Sequence, residues 1–197
     1  MDNKINILVI HGFNSGPGNK SETLKNHFPH ANVYTPQLNN KPIDDINILQ
    51  EFLDKNTNIH VVGTSLGGFY GLYLALTNQG RDDISFYIIN PSYTPYDNFK
   101  PRINQSFRNH KNDLISIVDE KFINELKDFQ NKVHYEFKVL PNIYFYFGDK
   151  DDVINHDILK SEIFKFKVPH NIFESNQDHR HEDISKIIKQ IKENTVL

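Results

Sequence analysis

The stretch Ile59-His60-Val61-Val62-Gly63-Thr64-Ser65-Leu66-Gly67-Gly68-Phe69-Tyr70 says more about the fold than any other part of the chain. Its first four residues read as a buried strand and Leu66 to Asn78 as a helix, so G-x-S-x-G spans a strand-to-helix turn. At such a turn Ser65 is expected in a strained backbone conformation, with its hydroxyl above the end of the sheet. Side chains at positions 63 and 67 would collide with neighbouring backbone, which explains the two glycines. The first turn of the helix aims free amides and the positive end of its dipole at the same spot, a setting that suits an oxyanion. An ordinary glycine-rich turn is the competing reading, and the placement at this junction argues against it.

Outward from this turn the chain alternates. Runs rich in Ile, Val, Phe and Tyr lie at Ile5 to Ile10, Asn32 to Thr35, Ile84 to Asn90, Ile143 to Phe147 and Val168 to Phe173. They lack clean polar alternation, which predicts parallel strands buried on both faces. Lys20 to Phe28, Ile43 to Asn56, Asn155 to Phe166 and Asp183 to Glu193 have helical spacing, and the second places Ile46, Leu49 and Leu53 on one face. The expected architecture is a three-layer α/β/α sandwich around a mainly parallel sheet of about six strands, one domain over residues 1–197. Residues 91–141 break the rhythm, with a helical pattern from Leu114 to Phe129 and no good strand before Ile143. An insertion there sits above the crevice at the strand ends, so it is expected either as a small lid or pocket wall, or as a crossover helix with an irregular lead-in.

Composition excludes several functions. The 197 residues carry 22 basic and 25 acidic side chains, a formal charge of -3, so no strong field selects nucleic acid or an anionic membrane. No apolar run approaches the ~18 residues of a membrane span. Cysteine is absent, which excludes disulfides, a thiolate nucleophile and Cys-based metal sites. With 24 Asn, 23 Ile, 18 Lys and only 2 Ala, the chain is biased in a way that weakens any single Asn or Lys as evidence. Its start reads as a first strand and not as a signal peptide, so a cytoplasmic protein is expected.

A serine hydroxyl needs a base, oriented by an acid, to act as a nucleophile. With an elbow of this kind the chain order is Ser, then Asp or Glu, then His. The acid should follow a late strand, and Ile143 to Phe147 leads into Gly148-Asp149-Lys150-Asp151-Asp152-Val153. Gly-x-x-Asp followed by Val favours Asp151, with Asp149 as runner-up. The base should precede the last helix, and among Asp178-His179-Arg180-His181-Glu182-Asp183 the choice is His179, with His181 as the alternative if the loop is one turn longer. The same cluster is also a candidate metal site, but it lacks H-E-x-x-H and would leave the serine turn unexplained. Elbow serines take a second amide from a loop after an early strand, often opening with His-Gly, so the Phe13 and Leu66 amides are the candidate oxyanion donors. The loop His11-Gly12-Phe13-Asn14-Ser15-Gly16-Pro17 could alternatively cradle a phosphate, although neither G-x-x-x-x-G-K-[ST] nor G-x-G-x-x-G is present. His11, Asn14, Tyr93 and Tyr96 are candidate substrate-pocket residues. Histidines 27, 30, 60, 110, 134, 156 and 170 are scattered and read as surface or packing residues.

Five motifs together resemble the small bacterial YqiA-like esterases of the α/β-hydrolase superfamily. They are His-Gly-Phe-Asn-Ser-Gly-Pro at 11–17, Gly-Thr-Ser-Leu-Gly-Gly-Phe-Tyr at 63–70, Asn-Pro-Ser-Tyr-Thr-Pro-Tyr at 90–96, Gly-Asp-Lys-Asp-Asp-Val at 148–153 and Asp-His-Arg at 178–180. The resemblance spans nearly the whole chain. It implies a compact hydrolase with a minimal lid, which cleaves carboxylic esters or acyl thioesters of small molecules without cofactor or metal. Carried over by motif, the triad is Ser65, Asp151 and His179, with Phe13 and Leu66 as amide donors. A non-catalytic ligand-binding protein on the same fold is the alternative reading.

Overall fold

The computed structural model describes residues 4–109, 111–138, 142–166 and 171–195. Six strands form one sheet: β1 (Asn6–Ile10), β2 (Asn32–Tyr34), β3 (Ile59–Thr64), β4 (Ile84–Ile89), β7 (Ile143–Lys150) and β8 (Ile172–Asp178). All pair in parallel, in the order β2-β1-β3-β4-β7-β8. The missing polar alternation has a direct cause. Ile7, Val9, Val62, Tyr87, Ile89 and Tyr146 point into one core, while Leu8, Ile10, Val61, Phe86, Ile88 and Phe145 point into the other. Helices α1 (Asn19–His27) and α7 (Ser185–Thr195) close the first core through Leu24, Ile187 and Ile191. Helices α2 (Pro42–Lys55), α3 (Leu66–Thr77) and α6 (Asp157–Lys165) bury Leu49, Leu53, Phe69, Leu72, Leu159 and Ile163 in the second. Ile46, Leu49 and Leu53 are all buried, as their spacing predicts.

The fold therefore matches the expected α/β/α layering, with two differences. Between β4 and β7 the chain forms a short helix α4 (Pro95–Phe99), a 3-10 turn, an antiparallel ribbon of β5 (Ser106–Arg108) and β6 (Ile115–Ile117), and then α5 (Glu120–Glu136). The helical pattern expected from Leu114 begins only at Glu120, because Asp119 caps α5 by accepting the Phe122 amide at 2.7 Å. Ile115 and Ile117 ahead of that cap are exposed ribbon residues. Helix α5 packs on α3, α4 and α2. That contact explains why α3 is apolar almost all round, since one face meets the sheet and the other meets α5. The second difference is at β8. The expected run started at Val168, which lies outside the described residues, and ended at Phe173, whereas the strand runs on to Asp178. It is an edge strand, half-exposed at alternate positions, so its second half does not look apolar.

Strand order reverses beside β1, with β2 on one side and β3 on the other. A crevice opens at such a reversal, outside the carboxyl ends of the strands. The loop after β1 and the turn after β3 both end there.

Candidate active site

Ser65 is the residue between β3 and α3, at φ 58° and ψ -121°, a conformation that side chains rarely adopt. Packing around it enforces this geometry. A Cβ at Gly63 would run into the Gly67 carbonyl, and a Cβ at Gly67 would meet the His11 carbonyl oxygen at 2.6 Å and collide with that of Ile10. The Ser65 amide donates to the Ile89 carbonyl at 3.0 Å, and its carbonyl accepts from the Ser92 amide at 3.1 Å. The turn is thus pinned to the end of β4. The hydroxyl has no hydrogen-bond partner among the described residues and lines a cavity of about 720 Å³. Phe13, Leu66, Ser92, Phe99 and His179 line the same cavity. The Phe13 and Leu66 amides also donate to no described residue.

The candidate acid and base, Asp151 and His179, follow the ends of β7 and β8. Asp151, with its side chain 1% exposed, accepts four hydrogen bonds. The amides of Val153 and Ile154 reach Oδ1 at 2.9 and 3.0 Å. His179 Nδ1 and His156 Nε2 both reach Oδ2 at 2.9 Å. Burial pushes the Asp151 carboxyl up, but the hydrogen bonds from His179 and from the Ile154 and Val153 amides outweigh it, so the group sits below the usual carboxylate range. Because Nδ1 donates to Asp151, His179 is left with Nε2 as its free ring nitrogen. Asp149 is exposed at the end of β7 and takes no part.

Two residues of this arrangement were not singled out for it by the sequence. His156, taken above as a packing histidine, is buried and stands against Phe147 at 5.0 Å between ring centroids. Burial holds it below its ordinary value although Asp151 opposes this, and its Nδ1 has no partner among the described residues. Asn90 is fully buried at the end of β4. Its side-chain amide donates to the carbonyls of Asp178 and His179, each at 3.1 Å, and its oxygen accepts the Gly148 amide at 2.8 Å. One side chain thereby ties β7 to the loop that carries His179. The only sequence signal for it was Asn90-Pro91 directly after a buried strand.

The remaining candidates separate. His11 borders the cavity, but both ring nitrogens are engaged, Nδ1 with the Gly12 carbonyl at 2.8 Å and Nε2 with the Leu38 amide at 3.1 Å. It fixes the loop after β1. Asn14, Tyr93 and Tyr96 lie outside the cavity lining, contrary to the expectation for a pocket. Asn14 bonds Asn40, Arg108 and Ser116. Tyr93 is buried against His134 and Phe137 by α5, and the Tyr96 ring lies under Lys100 and Lys127. Helix α5 draws both tyrosines away from the strand ends. His181 faces the core against Tyr146, and burial holds it at about 4. His110 and His170 lie outside the described residues. Among the described residues no three His, Asp or Glu side chains are grouped to hold a metal ion, and no helix is long and apolar enough to cross a membrane.

Sheet order, the serine turn and the strand-end positions of Asp151 and His179 define this as an α/β-hydrolase fold. A monoacylglycerol lipase from Paleococcus ferrophilus has a TM-score of 0.70 at 13% identity, over 96% of this chain and 94% of its own. Est1E from Butyrivibrio proteoclasticus has 0.67 at 15%, over 98% and 87%. Mouse alpha/beta hydrolase domain-containing protein 10 has 0.67 at 15%, over 95% and 88%. Within that fold the chain belongs to the uncharacterised protein family UPF0227, whose model matches residues 6–195 and which is the YqiA-like family that its motifs resemble. No curated protein matches its sequence.

Proposed function

We propose that the chain is a serine hydrolase that cleaves carboxylic esters or acyl thioesters of small molecules through Ser65, His179 and Asp151. The observation that carries this reading is the 2.9 Å contact of His179 with the buried Asp151 carboxylate, on the wall of the cavity where the strained Ser65 turn presents its hydroxyl. His179 Nε2 takes the proton of Ser65 Oγ as that oxygen attacks the substrate carbonyl. The unbonded amides of Phe13 and Leu66 then receive the developing oxyanion, each worth about 3 to 4 kcal/mol in such sites. His179 returns the proton to the leaving alcohol or thiol, and water releases the acyl group by the same route. Asp151 keeps the imidazole oriented and stabilises its charged form. No step calls for a cofactor. Ser65 Oγ and His179 are not hydrogen-bonded in this structure, and the reading requires them to approach when substrate fills the cavity.

Residues 1–197 act in this reading as one hydrolase domain. Segment 91–141 has two uses in it: α5 covers the sheet, while Asn98, Phe99, Arg102 and Lys111 form a wall of the cavity in place of a closed lid. Labelling with a fluorophosphonate followed by peptide mapping tests the proposal. The adduct is expected on Ser65 and is lost in Ser65→Ala. Folded protein that takes no label would instead be a binding protein that retains the hydrolase fold.

A further inference from the structure

The cavity is charged in a way that ester cleavage does not require. Lys20, Arg102, Lys111 and Arg180 line it against a single carboxylate, Glu182, although the chain as a whole has a net charge of -3. The four cations arrive from separate places: the first turn of α1, the inserted segment and the residue after His179. None is in ion-pair contact with a described carboxylate. The contrast among the four arginines is sharp, since Arg81 and Arg108 pair with Asp83 and Asp113, while the two in the cavity do not. The Arg102 guanidinium lies over the Phe99 ring at 5.7 Å, and Phe99 packs on Phe13 at 4.6 Å between centroids, so this charge sits on the aromatic wall of the same cavity. On the other side Lys20 Nζ donates to the Arg180 carbonyl at 2.5 Å, and Lys111 Nζ reaches the Pro17 carbonyl at 3.3 Å. Burial holds the Lys20 ammonium below its ordinary value, with Lys111 pushing the same way and Glu182 opposing. Arg102, Lys111 and Arg180 are exposed at the cavity and Lys20 is half-buried, so the four like charges form a positive rim that attracts a ligand of opposite charge.

We infer that the substrate is an anionic ester, whose carboxylate or phosphate group sits among Lys20, Arg102, Lys111 and Arg180 while its scissile carbonyl sits at Ser65. This rests on the hydrolase reading above. The test measures kcat/KM for two matched pairs: p-nitrophenyl hexanoate against mono-p-nitrophenyl adipate, and hydroxyethyl hexanoate against its phosphate monoester. The first pair places the charge on the acyl group and the second on the alcohol. Preference for the charged member of at least one pair is expected, falling by at least about tenfold in Arg102→Gln/Arg180→Gln. Arg102→Lys/Arg180→Lys, which keeps both charges, should retain the direction of the preference, so a misfolded glutamine variant would not decide the outcome. Neutral esters cleaved as well as both charged partners, or a preference that survives in the glutamine variant, would overturn the inference and leave the hydrolase reading standing. No turnover of any ester together with no fluorophosphonate adduct would overturn the hydrolase reading and this inference with it.

Discussion

The Ser65 side of the cavity and its Asp151/His179 side are built by opposite means. Ser65 is placed by backbone: a positive φ, two glycines that let strand and helix approach, and amide contacts to the end of β4. No described residue hydrogen-bonds its hydroxyl. Asp151 is placed by hydrogen bonds to its own carboxylate, from two histidines and two amides, and the loop carrying His179 is held by the side chain of Asn90. A site with a rigid turn on one side and a polar network on the other should fail differently on each side. Removing the hydroxyl should stop the chemistry at no cost to the fold, while changes in the network should cost both.

The largest expected effect that separates the two sides is that of Asp151→Asn. With the carboxylate gone, an amide NH2 group faces either the two histidine donors or the two backbone amides, and His179 loses its orienting partner. Ester kcat should fall by about three to four orders of magnitude, and the unfolding free energy by about 1 to 3 kcal/mol from the unmatched donors. Ser65→Ala should lose at least as much activity with its urea midpoint unchanged. Equal destabilisation by the two variants would break the contrast. The pH dependence of stability adds a check. The Asp151 carboxyl is held below its unfolded value, so it stabilises the fold above the unfolded value, and that contribution is lost as pH falls through the folded one. In Asp151→Asn that part of the acid slope should vanish.

The same contrast accounts for what the sequence disclosed. The serine turn is a local motif in which steric demands fall on neighbours in the chain, so Gly63, Ser65 and Gly67 were legible with the strand and helix around them. His179 and Asp151 were legible through chain order and strand ends. Asn90 and His156 were not, because their importance lies in what they touch: Asn90 bonds residues 58 to 89 positions away, and His156 differs from other scattered histidines only in facing Asp151. The ribbon within 91–141 was missed for a related reason. Its pairing is three residues long, and Ile115 and Ile117 face outward, so neither length nor burial marks it.

Asn90→Ala measures how far the network depends on one side chain. It removes three hydrogen bonds at a fully buried position and leaves the Gly148 amide without its acceptor. A loss of about 2 to 4 kcal/mol is expected in urea unfolding. Because the Asp178 and His179 carbonyls are released together, kcat should fall by about tenfold at a temperature where the variant is fully folded. A stability loss with unchanged kcat would mean that the Asp151 contact alone positions His179, and would confine the network's role to folding.

His156→Phe is the smallest and most discriminating change. Phenylalanine keeps the packing on Phe147 and removes one donor from Asp151 Oδ2, while the unpartnered Nδ1 disappears with the ring. The lost bond and the relieved orphan nitrogen act in opposite directions, so stability should change by no more than about 1 kcal/mol. The effect on chemistry has a definite sign. With one donor fewer, the carboxylate presents more of its charge to His179, and the imidazolium form is favoured. The acid limb of the kcat/KM profile should therefore move to higher pH, by about half a unit, with little change at the plateau. A purely structural role for His156 would alter stability and leave the limb where it is. A shift to lower pH would overturn this account, since losing either a neutral donor or a positive charge beside Asp151 favours the imidazolium form of His179.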